Sequence, residues 1–203
     1  MVVKLETERL ILRKPKLSDA EEIFEGIGNK DVSRRLSSVP YPYKKSDAEW
    51  WLKRSIKRWM EKEQKNYDFI IILKSERKII GSLGIHDVDR DNGVCSTGSW
   101  LNKNYWRKGY MTEAKIALNE FAFNKLKIRR METGAFTDNK ASNATQLAVG
   151  YKYEGCRRKK HISKATGKLH DENMYGLLKE DWKKKLPKLK KHLKTKIKKL
   201  GKK

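Results

Sequence analysis

The sequence predicts a mixed α/β chain of the α+β kind. Its expected layout is a largely antiparallel central sheet of about seven strands, flanked by about four helices and followed by a basic C-terminal helix. Three observations carry this prediction. Residues 69–73, 78–85 and 94–101 form a meander of apolar strands, separated by the turn residues Ser75-Glu76-Arg77 and Asp89-Arg90-Asp91-Asn92-Gly93. Residues 99–136 then read as strand, short basic loop, helix and strand, and a strand that returns after a helix implies one parallel crossover. Finally, residues 182–203 hold 12 lysines and no acidic residue.

Taken in order, residues 9–13 form a short strand that Pro15 stops. Ser18-Asp19-Ala20-Glu21 reads as a capping box for a short helix with Ile23, Phe24 and Ile27 on its apolar stripe, ended by Gly26 and Gly28. A second box, Ser46-Asp47-Ala48-Glu49, opens a helix carrying Trp51, Leu52, Ile56, Trp59 and Met60, with Lys53, Arg54, Lys57 and Arg58 on the outer face. Core packing is the favoured role for these tryptophans. Tyr41-Pro42-Tyr43 between the two helices is a loop over the expected acceptor site. After the meander, Met111, Ala114, Ala117, Leu118 and Phe121 recur at helical spacing. Residues 131–136 form the next strand, residues 141–149 a short helix, and two strands start near Tyr151 and Asp171 around a turn at Thr166-Gly167-Lys168.

The chain has 203 residues, 49 of them basic and 25 acidic, for a net charge of +24. That excess exceeds what solubility requires and predicts attraction to polyanions. Cys95 and Cys156 lie far apart with no metal-ligand spacing, so neither a disulfide framework nor a metal site is expected. No apolar run fits a signal peptide or a membrane span, and a cytoplasmic protein is expected. The expected division is a domain over residues 1–181 and a lysine-rich helix or tail over 182–203.

In the basic loop, Arg107 and Lys108 stand beside the first turn of a helix, whose unpaired N–H groups favour phosphate. Gly109 would let the backbone approach a phosphate closely. The segment Trp106-Arg107-Lys108-Gly109-Tyr110-Met111 resembles the acetyl-coenzyme A pyrophosphate loop of the GNAT superfamily of N-acyltransferases, with the central glycine kept and both outer positions changed. Its flanks, Trp100-Leu101-Asn102 and Tyr110-Met111-Thr112-Glu113-Ala114, resemble the Rim-type ribosomal-protein N-terminal acetyltransferases. Two further motifs agree in order and spacing: Asn139 to Ser142 with Gly150-Tyr151, and the closing segment Gly167-Lys168-Leu169-His170-Asp171-Glu172-Asn173-Met174-Tyr175.

The resemblance, which covers about residues 6–181, implies an acetyl-coenzyme A-dependent N-acetyltransferase. It assigns Ser99, Trp100 and Leu101 to the pantetheine arm, with a backbone N–H at Trp100 for the oxyanion. Arg107, Lys108, Gly109, Tyr110, Met111 and Thr112 would hold the pyrophosphate. Asn139 would bind the cofactor arm, and Ser142 would bind beside the departing sulfur and donate its proton. Many relatives carry a glutamate two residues before the glycine that aligns with Gly98; Ser96 stands there, which leaves His86, Asp87, Glu172 or an ordered water chain as the base. The implied acceptor is a protein N-terminal α-amine. A polyamine or another small amine is the alternative, and a non-catalytic RNA- or ribosome-binding module is the alternative of another class. The state expected is a monomer or homodimer. Leu186, Leu189, Leu193, Ile197 and Leu200 recur as one stripe of a helix from about Leu186, with Pro187 in its first turn, Gly201 at its end and lysines turned to RNA.

Overall fold

The computed structural model describes residues 3–200, the side chains of 199 and 200 excepted. The strands are β1 (Lys4–Glu6), β2 (Leu10–Arg13), β3 (Tyr67–Leu73), β4 (Lys78–Asp89), β5 (Val94–Leu101), β6 (Arg130–Phe136), β7 (Lys152–Ile162) and β8 (Leu169–Leu178). The helices are α1 (Ala20–Ile27), α2 (Lys30–Ser33), α3 (Lys45–Arg58), α4 (Tyr110–Asn124), α5 (Lys140–Ala148) and α6 (Lys179–Leu200). The strands form an eight-stranded sheet in the order β1-β2-β3-β4-β5-β6-β8-β7. Only β5 and β6 run parallel, as the crossover through α4 requires; the other neighbours are antiparallel. The eighth strand, β1, is too short to leave an alternating pattern in the sequence.

Helices cover both faces of the sheet. Ile70 and Ile79 pack with Ile23, Ile27, Ala48 and Leu52 beneath α1 and α3, whereas Phe69, Ile71 and Leu73 join Leu118, Phe121 and Ala122 of α4. Alternate residues of β3 therefore enter two cores, and burial on both sides explains its continuous apolar run. Trp59, at the end of α3, meets Tyr67 and Phe69 edge-on at centroid distances of 5.4 and 5.2 Å. Its role is packing, as expected.

The helix starts differ from the expected capping boxes. Asp19 Oδ2 accepts the Lys16 N–H at 2.8 Å and its carboxylate also pairs with Arg13, so the first box is shifted two residues upstream of Ser18. Asp47 likewise accepts the Lys44 N–H at 2.8 Å, in place of a Ser46 to Glu49 box. In each case a carboxylate, with its charge-assisted hydrogen bond, outcompetes the serine hydroxyl. Gly26 stays inside α1, because a Cβ there would lie 2.9 Å from the Trp100 ring.

Helix α6 starts at Lys179, earlier than the expected Leu186, and carries Pro187 inside it. Trp182 is buried, and Leu186, Leu189 and Leu193 pack on the α4 side of the sheet. That anchorage offsets the backbone hydrogen bond that a proline removes. Gly201 lies outside the described residues.

Helix α4 is fixed at its start by Glu113, which is 1% exposed. Its Oε1 accepts from the Thr7 hydroxyl at 2.6 Å and the Arg9 N–H at 2.9 Å, and Oε2 accepts from Arg9 Nε at 2.7 Å. Removing that carboxylate leaves the Arg9 backbone N–H and its Nε–H without their acceptor. Glu113→Ala is therefore expected to cost about 3 kcal/mol in a urea melt. A loss below about 1 kcal/mol would contradict the clamp.

Candidate functional site

The site originates where β5 and β6 part. Their pairing runs from Val94↔Arg130 to Thr97↔Thr133 and then stops, although each strand continues for several residues. Asn102 donates to Ile80 O at 2.8 Å, and Trp100 lies opposite Ser82. By antiparallel alternation the N–H and C=O of Trp100 point to β4, while those of Ser99 and Leu101 point into the opening. The expectation that Trp100 offers its N–H to an oxyanion is thereby corrected. Ser99 and Leu101 have that orientation, and the Trp100 indole packs on Gly26.

Two cavities meet at this opening. One, of about 320 Å³, runs from the basic loop to α5; the other, of about 1090 Å³, spreads beneath α1, α3 and β7. Ser99, Arg35, Asn139, Ser142 and Gln146 line both and mark the junction.

At the loop end of the smaller cavity, Trp106 Nε1 donates to Leu101 O at 2.7 Å and ties the loop back to β5. Arg107 lines the cavity with φ +64°. Gly109, at φ +81°, precedes α4, and no side chain caps that helix. Gly109, Tyr110, Met111 and Thr112 all line the cavity, whereas the Lys108 ammonium lies over the Tyr105 ring, 5.5 Å from its centroid. Lys196 of α6 reaches the same cavity, its Cδ and Cε 3.4 Å from where a Gly109 Cβ would sit. Arg9 donates to Lys108 O at 3.1 Å, and its Nη2 is buried without a partner.

At the other end, Asn139 caps α5, its Oδ1 accepting the Ser142 N–H and Arg35 Nη1, each at 3.3 Å. Only the amide Nδ2 remains for a ligand. Lys115 of α4 also lines this cavity at 2% exposure, with no hydrogen bond or ion pair among the described residues. Burial pushes its ammonium down to about 8.

The three expected bases all line the larger cavity. His86 Nε2 lies 2.8 Å from Asp68 Oδ1, and its ring occupies space that a Cβ at Gly84 would need. Asp68 is 3% exposed; burial opposes its ionisation, but the His86 hydrogen bond and charge hold its carboxyl below the usual carboxylate range. Glu172 is committed to His161 at 3.0 Å and Arg157 at 3.7 Å, and Asp87 accepts from the Ser96 hydroxyl at 3.1 Å. Tyr43, Trp50 and Trp51 line the outer part of the cavity, with Arg54 over the Trp50 ring at 5.4 Å.

The profile of the Acetyltransferase (GNAT) domain family matches residues 9–152. The chain belongs to the GNAT acetyltransferase family. It is 30% identical over 88% of its length, and 97% of the relative's, to the "Uncharacterized N-acetyltransferase p20" of Bacillus licheniformis. Among solved structures it resembles the ribosomal-protein-S5-alanine acetyltransferase of Vibrio fischeri (TM-score 0.75, 21% identity, 89% of this chain and 98% of that one). It also resembles the microcin C7 self-immunity acetyltransferase MccE, solved with acetyl-CoA and AMP (TM-score 0.70, 25% identity, 85% of this chain and 93% of that one).

The protein is thus an acetyl-coenzyme A-dependent N-acetyltransferase on a mixed α/β GNAT fold. The smaller cavity suits that cosubstrate: an open strand edge, an uncapped helix start with Gly109 and Arg107, and the unpartnered Lys115. Sequence reasoning missed Lys115, Gln146, Asp68, Arg35 and Lys196. Lys115 alone left a signal, since it interrupts the apolar stripe of α4 between Met111 and Leu118.

A lysine depressed from 10.5 to about 8 destabilises the fold at pH 7 by about 3 kcal/mol. The unfolded chain binds more protons between those values, so stability should rise with pH through that window. Lys115→Met is expected to raise stability by about 2 to 3 kcal/mol at pH 7 and to remove that rise, as read by urea melts at pH 7 and 9.5. Unchanged stability at both would contradict a buried, unpaired ammonium.

Proposed function

We propose that this enzyme acetylates the α-amine at a protein N-terminus, with an acceptor presented on an RNA-rich particle such as the ribosome. The observation that carries this reading is the acceptor cavity, which at about 1090 Å³ lies at the upper end of the roughly 300 to 1,000 Å³ of small-ligand sites. It also meets the cofactor cavity at Ser99, Asn139 and Ser142, so several residues of an extended chain can enter with the amine leading. The proposed division is a catalytic unit over residues 1–181 with a lysine-rich C-terminal segment over 182–203, acting in the cytoplasm as a monomer or homodimer.

Acetyl-coenzyme A supplies the activated acetyl group. For the chain's own residues, the reading assigns Arg107, Gly109, Tyr110, Met111 and Thr112 to the phosphates, and Ser99, Leu101 and the Asn139 amide to the arm. An inward N–H of Ser99 or Leu101 would stabilise negative charge on the acetyl oxygen. If His86 donates Nε2–H to Asp68, its Nδ1 is left facing Gly98 as an acceptor for the amine proton. The Ser142 hydroxyl would return a proton to sulfur.

A second reading, an amine carried on a nucleotide, is favoured by Trp50, Trp51, Tyr43 and Arg54 on the cavity wall, and by AMP in the MccE structure. A free polyamine would meet a wall of mixed charge, with Asp47, Asp68, Asp87, Glu132 and Glu172 beside Arg35, Arg54, Arg58, Arg157 and Lys164. Thiol release measured over N-terminal peptides, aminoacyl nucleotides and polyamines separates the three. Turnover confined to polyamines would refute the proposal.

Deleting residues 183–203 is no clean test of the tail. That segment carries the packed Leu186, Leu189 and Leu193, and Lys196 of the cofactor cavity. Charge substitution is cleaner. Replacing the exposed Lys184, Lys188, Lys191 and Lys194 with glutamine should reduce the slope of log RNA affinity against log salt by about 3. Equal slopes would remove these lysines from RNA binding.

Ser142→Ala and His86→Asn are each expected to lower kcat by about 100-fold while acetyl-coenzyme A affinity stays within about twofold. Stopped-flow thiol release and calorimetry read the two quantities. Wild-type kcat in either variant removes that residue from the proposed chemistry.

A further inference from the structure

Lys115 and Gln146 both line the cofactor cavity. Lys115 sits in the second turn of α4 and Gln146 in the last turn of α5, each 2% exposed. Burial is the one influence acting on the Lys115 ammonium, with no hydrogen bond or ion pair to it among the described residues, and Gln146 Oε1 is buried without a donor. The charged groups on neighbouring elements are engaged elsewhere. On α4, Glu113 holds Arg9 and Glu120 holds Lys190. Glu6 of β1 holds Lys4 and Lys74, and Arg13 of β2 holds Asp19. On β4, Asp87 holds Ser96, Asp89 holds Asn92, His86 holds Asp68, and Lys78 is exposed at the far end; α5 adds only the exposed Lys140. The other titratable groups on the cavity wall are Arg35, Tyr105, Arg107, Tyr110 and Lys196, none of them a carboxylate.

A cation with three donors and a carbonyl oxygen that can only accept, lining one cavity, are together the complement of a secondary amide. The arm of acetyl-coenzyme A carries two such amides. Resting on the cofactor assignment above, we infer that Lys115 and Gln146 grip this arm. Lys115 donates to an amide carbonyl and Gln146 Oε1 accepts from an amide N–H, so the ligand completes a polar pair that the fold leaves open. Buried polar groups without partners are costly, and a ligand that supplies them gains selectivity over one that lacks them.

The arrangement links binding to protons. Burial alone depresses the free ammonium, so an acceptor arriving beside it restores the proton, and affinity falls as pH rises above about 8. Calorimetry with acetyl-coenzyme A, whose sulfur does not ionise, measures this in two buffers of different ionisation enthalpy at pH 8.5. Wild type should take up roughly three quarters of a proton per ligand. Lys115→Met should bind about tenfold more weakly with the uptake abolished, and Gln146→Leu should weaken binding with the uptake kept. Adenosine 3′,5′-bisphosphate, which lacks the arm, should bind both variants like wild type. Wild-type affinity and proton uptake in Lys115→Met would overturn the inference, as would equal losses for the arm-less ligand. Should Lys115→Met fail to fold, the Gln146→Leu affinities for the two ligands decide the matter. No binding of acetyl-coenzyme A by the wild-type protein would instead overturn the cofactor assignment itself.

Discussion

The parting of β5 from β6 after Thr97 and Thr133 is the constraint on which the rest of this structure depends. The two threonines close the ladder, Thr97 Oγ1 donating to Glu132 O and Thr133 Oγ1 to Thr97 O. Beyond them Gly98 and Gly134 carry no side chain to bridge the strands, and the Glu172 carboxylate occupies the space beside Gly134. Ser99 is left with an N–H and a C=O, and Leu101 with an N–H, that a closed sheet would have paired, while Trp106 supplies the Leu101 C=O with a donor. Such an edge, lying between two helix starts, is where an extended, amide-bearing ligand can complete the hydrogen bonding that the protein lacks.

The surrounding elements hold that opening in register. Glu113 fixes the start of α4 to the segment before β2, Trp106 ties the loop to the end of β5, and Asn139 caps α5 while receiving Arg35. Helix α6 enters the same arrangement from the opposite end of the chain. Its leucines pack against the core and its Lys196 lines the smaller cavity, so the basic helix is physically coupled to the candidate site. The changed outer positions of the loop motif have structural uses as well: Trp106 supplies a hydrogen bond, and Met111 fills space between α4 and the core.

The sequence revealed those parts of the fold that have a local cause. Seven strands, the crossover between β5 and β6, and α4 and α5 follow from periodicity and turn residues, and the loop around Gly109 follows from its motif. Strand β1 is three residues long and has no period to read. The start of α6 was misplaced because Pro187 reads locally as a first-turn residue, whereas the burial of Trp182 is a tertiary fact. For the candidate site, the segments of β5, α4 and the start of α5 that line the smaller cavity carried a readable motif. Its long-range partners were not: Asp68 and His86 are 18 residues apart, and Arg35 and Asn139 are 104 apart. The direction of the Trp100 N–H depends on strand phase, which one residue of register reverses.

The most direct test of this account is amide hydrogen exchange at β5 with and without coenzyme A. The amides of Ser99 and Leu101 should exchange readily in the free protein and become protected on binding, while Trp100, already paired to β4, changes little. Protection at Trp100 alone, or none at Ser99 and Leu101 with coenzyme A bound, would contradict a cofactor held along the open edge of β5.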